Sequence, residues 1–301
     1  MKTLQKLSQH QLDFFDTFGY LAFPVLLNDC IDKIIEEFED VWAKSGRTHD
    51  RTTRSALIPF PDQNEYLSSL LDDHRIHDIA SSLCGEDFNY FSGDGNYYVG
   101  DTSWHSDGYN TRIVRMIKIA FYLDPVKENT GALRVIPGSH KTDDTFGNLL
   151  QSHLTSTDGT PSLFGITGDK IPAVALESNP GDIVVFNNNL KHSSWGGSKA
   201  RRMFCMNFTE RYPDNQLHRL QEDLGESARW WIERKHGEVM IKTATPARMH
   251  HLQQVRENDT HLPDLVKELK KTMENQLTHN LNILRFCLSQ RGWWMQKQII
   301  T

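Results

Sequence analysis

The segment Trp104-His105-Ser106-Asp107-Gly108 contains the residues with the clearest capacity for chemistry. If this segment is extended, His105 and Asp107 lie on one face, because strand side chains alternate with a period of two. An imidazole and a carboxylate on the same face can bind one metal ion together. The spacing therefore predicts that His105 and Asp107 are two ligands of a metal site.

His192 is the best candidate for a third ligand, since it follows a predicted strand and a turn in the second half of the chain. Two neutral imidazoles and one carboxylate leave about three coordination positions open, which is typical of non-haem Fe(II) oxygenases. The same ligands also suit zinc or manganese. A Zn- or Mn-dependent hydrolase or isomerase and a non-catalytic metal-binding barrel that senses a ligand therefore stay open as alternatives.

Two arginines follow the last ligand, and the strand pattern of residues 201–209 separates their side chains. Arg202 shares a face with three large apolar residues, which should pack outward against helices. Arg201 shares the smaller, more polar face, which should line a cavity. The guanidinium fork of an inward arginine can bind a carboxylate through two hydrogen bonds. A sensor barrel would not need this arginine, so Arg201 favours an enzyme.

The elements that must position these residues are short strands preceded and followed by helices. Ser8 and Gln11 form a capping box before a first helix that Gly19 should end, and a second helix follows Asn28. A weaker helix covers roughly residues 66–83, whereas residues 46–64 and the insertion 141–170 are predicted as polar loops. From about residue 88 the predicted strands are Asn96–Val99, Arg112–Leu123, Leu133–Ile136, Ala173–Leu176, Ile183–Phe186 and Met203–Thr209.

After Pro213 the pattern becomes helical again. Apolar residues then recur every three or four positions at Leu262, Val266, Leu269, Met273, Leu277, Leu281, Leu284 and Leu288. Such a stripe predicts a helix packed on the β core, with a surface for homo-oligomerisation as the alternative.

Composition excludes several classes of partner. The net charge is −6 and no basic block stands out, so nucleic-acid binding has no electrostatic support. No stretch approaches the ~20 apolar residues of a membrane span, and the N-terminus does not resemble a secretory signal. The four cysteines are scattered without a disulfide pattern, which favours a reducing, cytoplasmic location.

Taken together, these residues resemble the phytanoyl-CoA dioxygenase family of Fe(II)/2-oxoglutarate oxygenases over residues 1–212. The resemblance lies in the following segments: Leu7-Ser8 with Phe18-Gly19-Tyr20-Leu21, residues 104–108, Gly131–Lys141 (GALRVIPGSHK), and His192-Ser193-Ser194 followed by Arg201. It implies a double-stranded β-helix, a jelly-roll or cupin-like core of the α+β class that is mainly β with N-terminal helices. Residues 213–301 would then be a helical C-terminal extension.

The resemblance also implies the reaction and its cofactors. An enzyme of this kind uses Fe(II), 2-oxoglutarate and O2, and it couples decarboxylation of 2-oxoglutarate to succinate and CO2 with oxidation of a C–H bond. His105, Asp107 and His192 would bind the iron and carry catalysis, while Arg201 binds the distal carboxylate of 2-oxoglutarate with help from Ser194. Arg202 is the alternative, since His192 and Arg201 are nine residues apart and many relatives have eleven.

Further site residues are predicted by position. Asn96 and Tyr98 are expected to reach the co-substrate, and Tyr109, Lys118 and Trp195 to meet the substrate. Related halogenases have a small residue in place of Asp107, so its carboxylate favours hydroxylation; desaturation and demethylation use the same site. The polar surroundings predict a small polar substrate, and His140 is predicted to order its turn rather than to bind metal.

Overall fold

The computed structural model describes residues 6–154 and 165–274 of the chain. Its helices are α1 Gln9–Phe18, α2 Ile31–Lys44, α3 Glu65–Ser69, α4 His74–Cys84, α5 Thr145–Leu154, α6 Leu217–Gly225, α7 Glu238–Lys242 and α8 Pro246–Asn258. Its strands are β1 Tyr20–Phe23, β2 Ser55–Leu57, β3 Asn89–Ser92, β4 Gly95–Tyr98, β5 Thr102–His105, β6 Met116–Tyr122, β7 Leu133–Val135, β8 Val174–Leu176, β9 Ile183–Asn187, β10 His192–Ser194 and β11 Arg201–Thr209.

The strands form two antiparallel sheets. The larger sheet has the order β1-β9-β6-β11-β4-β2, and β3 also pairs with β11; the smaller sheet has the order β5-β10-β7-β8. An apolar cluster that draws on both sheets, including Val135, Leu176, Val184 and Met203, fills the space between them. This is the predicted jelly-roll core.

Strand β11 shows how the sequence pattern sets the two faces of the larger sheet. Phe204, Met206 and Phe208 belong to the cluster that packs against the helical layer, together with residues of α2 and α4. Met203 and Cys205 belong to the cluster between the sheets. The period-two alternation of the sequence is therefore confirmed along this strand.

The N-terminal helices cover the outer face of the larger sheet. The capping box of α1 is present, with the Ser8 N–H donating to Gln11 at 2.9 Å, and Gly19 ends the helix in the left-handed conformation at φ 85°. Helix α2 buries Phe38 and Trp42 beneath the sheet.

Three regions differ in detail from the prediction. The expected loop 46–64 contains β2, which pairs with the free edge of β4, and a 3₁₀ turn at Pro61–Gln63. The strand expected from Arg112 begins only at Met116, because residues 106–115 form the connection between β5 and β6. The insertion 141–170 contains α5, whose Leu150 and Leu154 pack against Trp104 and Ile136; residues 155–164 lie outside the described part.

The C-terminal extension packs directly on the β core. We call this contact the joint; it consists of residues 60–62 and 88–91 of the core with residues 236–254 of the extension. His251 Nδ1 lies 2.8 Å from the Phe88 carbonyl oxygen, and His236 Nε2 lies 3.0 Å from that of Tyr90. Buried Asp62 accepts a hydrogen bond of 2.8 Å from the Tyr90 hydroxyl. The boundary at residue 212 stays a prediction.

Residues 262–274 are helical, as the apolar stripe predicts. Leu262 and Val266 are fully buried, whereas Leu269 and Met273 are exposed. The remaining members of the stripe, Leu277, Leu281, Leu284 and Leu288, lie outside the described residues, so the oligomerisation surface stays a prediction. Among the described helices, none combines the length and the apolar character that crossing a lipid bilayer requires.

Candidate metal centre

His105 and His192 lie side by side in the smaller sheet. They are directly opposite each other in the pairing of β5 with β10, and their ring centroids are 4.2 Å apart. The His105 Nδ1 lies 2.8 Å from the Ser103 carbonyl oxygen, and the His192 Nδ1 lies 2.8 Å from that of Leu190. Because a carbonyl oxygen only accepts, each Nδ1 carries the hydrogen and each Nε2 keeps the lone pair that a metal needs.

Asp107 completes the cluster from the turn after β5. Its N–H donates to the Asn188 carbonyl oxygen at 3.0 Å, which fixes the backbone beside the two histidines. The carboxylate oxygens lie 3.7 Å from the His105 Nε2 and 3.8 Å from the His192 Nε2. One ligand atom from each of the three residues lies within 4.8 Å of the others. The three predicted ligands are therefore brought together around one point.

Charge around Asp107 keeps it ionised. Burial by itself would raise the pKa of this carboxyl, but Lys118, His192 and His105 hold it well below its usual range. The Lys118 Nζ donates to Asp107 Oδ2 at 2.5 Å, and this pair also raises the pKa of the lysine against the effect of its own burial. Burial, with a further contribution from His105, lowers the pKa of His192 to about 3. At neutral pH the cluster thus offers a carboxylate and a neutral His192 imidazole, the forms that bind a divalent metal.

Arg201 points into the same cavity and is 4% exposed. Its Nη2 donates to the Ser194 hydroxyl at 3.1 Å, whereas its Nε and Nη1 are buried without a hydrogen-bond partner. No carboxylate within the described residues forms an ion pair with it. Buried donors of this kind are costly unless a ligand accepts from them, so Arg201 is suited to binding a carboxylate.

Two glycines make room for this guanidinium. A Cβ built on Gly131 would lie 1.6 Å from Arg201 Nη1, and one on Gly197 would lie 2.2 Å from the same atom. Arg202 points the other way and forms ion pairs with Asp124 at 2.6 Å and Glu39 at 2.8 Å.

Tyr98 and Asn96 occupy different positions relative to the cavity. The Tyr98 ring lines it between two guanidinium groups, with Arg201 5.2 Å from the ring centroid and Arg54 at 4.6 Å. Asn96 is fully buried and does not line the cavity. It accepts a hydrogen bond of 2.9 Å from the Arg54 Nε and donates one of 2.6 Å to Asp94, so it orients Arg54.

The cavity that holds the cluster, which we call the metal cavity, has a volume of about 240 Å³. It is lined by the three candidate ligands together with Arg54, Ile58, Asp94, Tyr98, Thr102, Lys118, Tyr122, Leu133, Phe186, Ser193, Ser194, Arg201, Met203 and Trp230. Arg54 and Trp230 were missed by sequence reasoning. Nothing in the sequence near Trp230 signals a site, because this residue reaches the cavity only through the packing of the extension.

The other predicted residues lie elsewhere. The Tyr109 hydroxyl donates to the Lys141 carbonyl oxygen at 3.0 Å, and its ring packs against the Lys191 Nζ. The Trp195 indole donates to Ser193 at 3.0 Å and lines a separate cavity with Asp169. His140 lies against Gly19, away from the metal cavity, and burial lowers its pKa to about 4. Of the three predicted substrate contacts, the structure places Lys118 alone in the wall of the metal cavity.

Comparison with known proteins agrees with this arrangement. The family model described as phytanoyl-CoA dioxygenase matches residues 15–203, which is more than half of the chain. A curated relative, ectoine dioxygenase of Sphingopyxis alaskensis, is 27% identical over 153 residues, covering 44% of this chain. The matched part of the chain spans 50% of the length of that relative.

Several solved structures share the fold. HygX of Streptomyces hygroscopicus, determined with nickel and 2-oxoglutarate bound, is 15% identical with a TM-score of 0.56 and covers 69% of this chain and 88% of its own. EctD of S. alaskensis is 20% identical with a TM-score of 0.52, covering 70% and 79%. SnoK, a non-heme α-ketoglutarate-dependent carbocyclase from nogalamycin biosynthesis, is 19% identical with a TM-score of 0.54, covering 68% and 84%.

Proposed function

The chain belongs to the phytanoyl-CoA dioxygenase family, and from that premise we propose that it is an Fe(II)- and 2-oxoglutarate-dependent dioxygenase. In this proposal it hydroxylates an unactivated C–H bond of a small, polar molecule while 2-oxoglutarate is converted to succinate and CO2. The observation that carries the proposal is the pairing of a His-Asp-His cluster with Arg201, a buried cation that lacks a carboxylate partner among the described residues.

Each part of the site has a role in this reaction. His105, Asp107 and His192 would hold the iron on one side and leave the cavity side open. When bound there, the iron and 2-oxoglutarate together supply the activation of O2. Arg201, oriented by Ser194, would bind the distal carboxylate of 2-oxoglutarate and so fix the direction in which the molecule enters the cavity.

The size of the metal cavity supports the proposal. Its volume of about 240 Å³ is sufficient for a small dicarboxylate such as 2-oxoglutarate. Phe186, Leu133 and Met203 supply apolar wall beside the ligands, which limits water access to the reacting atoms. Lys118 keeps Asp107 ionised through its hydrogen bond and thereby preserves the carboxylate ligand.

The relatives support an oxygenase that acts on a small molecule. Ectoine dioxygenase is named for a small-molecule substrate, and the structures of HygX and of SnoK are described with 2-oxoglutarate or as dependent on it. Hydroxylation is the outcome that we propose because Asp107 supplies a carboxylate at the position that related halogenases leave to a halide.

Anaerobic titration with 2-oxoglutarate tests the co-substrate. We expect the Fe(II)-loaded wild type to develop the weak visible charge-transfer band of a chelated 2-oxo acid. Arg201→Ala should need about a hundredfold more 2-oxoglutarate, because a buried charge-assisted pair contributes about 2–3 kcal/mol. Arg202→Ala is the matched control, since it removes the neighbouring cation whose partners are Asp124 and Glu39, and it should bind 2-oxoglutarate like the wild type.

A second measurement separates the oxygenase from its rivals. Iron-dependent O2 uptake with formation of succinate is expected for the oxygenase and for neither a hydrolase nor a sensor. Iron-loaded protein that shows no band and forms no succinate would contradict the proposal.

A further inference from the structure

A second cavity lies between the β core and the C-terminal extension, directly beside the metal cavity. Its volume is about 170 Å³, and we call it the extension cavity. It shares Ile58, Asp94, Asp107, Lys118 and Trp230 with the wall of the metal cavity. A molecule in this cavity would therefore lie next to the carboxylate of the metal cluster.

Three cations line this cavity without an ion pair in the described part of the chain; Arg229 is exposed, whereas Lys235 and Arg112 are at least partly buried. Lys235 is 4% exposed; its Nζ donates to the Ser227 hydroxyl at 2.8 Å and lies 4.5 Å from the centroid of the Phe91 ring. The Arg112 guanidinium lies 5.7 Å from the same ring, and its Nε is buried without a hydrogen-bond partner. Neither forms an ion pair within the described residues, although both line the cavity.

Arg112 also lies close to the metal cluster. A Cβ built on Gly108 would lie 2.2 Å from Arg112 Nη1, so the guanidinium packs directly on the residue that follows Asp107. An acceptor bound by Arg112 and a carbon atom presented to the metal can therefore belong to the same small molecule.

The acids of the cavity do not neutralise these two cations by direct contact. Asp107 is paired with Lys118 and Asp94 with Arg54. Asp223 accepts the hydroxyl hydrogen of Tyr212, and Glu226 is exposed at the cavity rim. Burial and the neighbouring Arg112 charge lower the pKa of Lys235 to about 7. The carboxylates of Asp62, Asp259 and Glu226 oppose this shift only in part.

We infer that the extension cavity binds an anionic group of the primary substrate, a carboxylate or a phosphonate, through Arg112 and Lys235. The inference rests on the proposed function and names the class of its substrate. The anion would accept hydrogen bonds from the Arg112 Nε and the Lys235 Nζ. The rest of the molecule would extend past Trp230 toward the metal cluster. In this way the C-terminal extension becomes part of the substrate site.

The test compares anions with neutral molecules of the same shape. The full chain is loaded with Fe(II) and saturating 2-oxoglutarate without O2, and calorimetric titration measures the Kd for butyrate and 1-propylphosphonate. The neutral counterparts are butyramide and 1-propanesulfonamide. We expect at least one anion to bind about tenfold or more tightly than its counterpart, the value of one good charge-assisted hydrogen bond.

Substitutions then locate the anion. Arg112→Gln and Lys235→Met should each weaken binding of that anion about tenfold or more. Lys242→Gln removes an exposed cation of the same extension, paired with Glu238, and should leave the Kd unchanged. Lys235→Met replaces a buried charge by an apolar chain of similar length, which folded proteins commonly tolerate; Arg112→Gln provides an independent variant.

The outcomes separate the inference from the function on which it rests. An intact 2-oxoglutarate band together with no binding of any anion, equal binding of the neutral counterparts, or unchanged binding in both variants would overturn the inference alone. A missing band in the wild type would overturn the proposed function and the inference with it.

Discussion

The metal centre and the joint each bury a histidine, and the two residues look alike by several measures. His192 at the metal centre and His236 at the joint are 5% and 4% exposed, and burial lowers the pKa of each to about 3. Each has one ring nitrogen against a main-chain carbonyl oxygen. Burial and a lowered pKa therefore do not distinguish a ligand from a packing residue.

The difference lies in what the second ring nitrogen faces. In His192 it faces the Asp107 carboxylate at 3.8 Å and an open cavity. In His236 the second nitrogen is buried without a partner, and the ring stacks on Tyr90 at 5.5 Å between centroids. A lone pair directed at a carboxylate within a cavity fits the proposed metal ligand, whereas a stacked ring without such a neighbour fits a packing residue.

Replacing each of the two histidines by alanine should give the largest difference between the metal centre and the joint. His192→Ala should lower turnover at least about a thousandfold, a loss of about 4 kcal/mol in transition-state stabilisation, because the iron loses a ligand. His236→Ala should instead lower the free energy of unfolding by about 2–3 kcal/mol while the folded fraction still binds iron. Metal analysis and urea unfolding of both variants check this. Folded His236→Ala protein without iron would show that the joint is not merely structural.

The pH dependence of the free energy of unfolding tests whether His236 is a neutral packing residue at the joint. His236 has a folded pKa of about 3, below the unfolded value of about 6.5. Its contribution to stability is therefore present above pH 6.5 and is lost as the pH falls toward 3. Between pH 6.5 and pH 4.5 the loss should be about 2 kcal/mol. Urea unfolding of metal-free wild type and His236→Gln should show a shallower acid decline in the variant, and parallel curves would contradict this assignment.

A glycine substitution tests the space beside Arg201 with a smaller expected effect. Gly131→Ala would place a Cβ 1.6 Å from Arg201 Nη1, so the guanidinium must move and 2-oxoglutarate should bind about tenfold more weakly. Gly46→Ala is the matched control, because Gly46 also has a positive φ of 67° but nothing within 4 Å. Both should lose about 1–2 kcal/mol of stability. Equal 2-oxoglutarate affinities in the two variants would show that Arg201 does not need this space.

The parts of the site that follow strand periodicity could be predicted from the sequence. His105 and Asp107 share a face, and β11 sends Arg201 inward and Arg202 outward, because alternation is a local property of a strand. The register that sets His192 opposite His105 is not local. The sequence indicated His192 only as a candidate that follows a predicted strand and a turn, and the family resemblance implied its role; neither predicted the register.

The parts that depend on tertiary packing could not be predicted. Trp230 and Lys235 reach the cavities because the extension folds back onto the core. The apolar stripe predicts a helix packed on the core, but no motif in residues 213–274 indicates which side chains line a cavity. Strand β2 is three residues long and forms at the free edge of β4, so its own sequence carries little signal. Tyr109 was expected near the substrate because it lies two residues after Asp107 in the chain. The turn after Asp107 instead directs its hydroxyl to the Lys141 carbonyl oxygen.

The pairing of His105 with His192 has a consequence for the coupling between metal loading and folding. The two ligands are 87 positions apart in the chain (192 − 105), and β5 is an edge strand of the smaller sheet. A metal ion held by both would act as a cross-link that closes a long loop of the unfolded chain, and such a clip stabilises the folded state by mass action. In the proposed metal-bound state, the ion would thus link the edge strand β5, through His105, to the neighbouring strand β10, through His192.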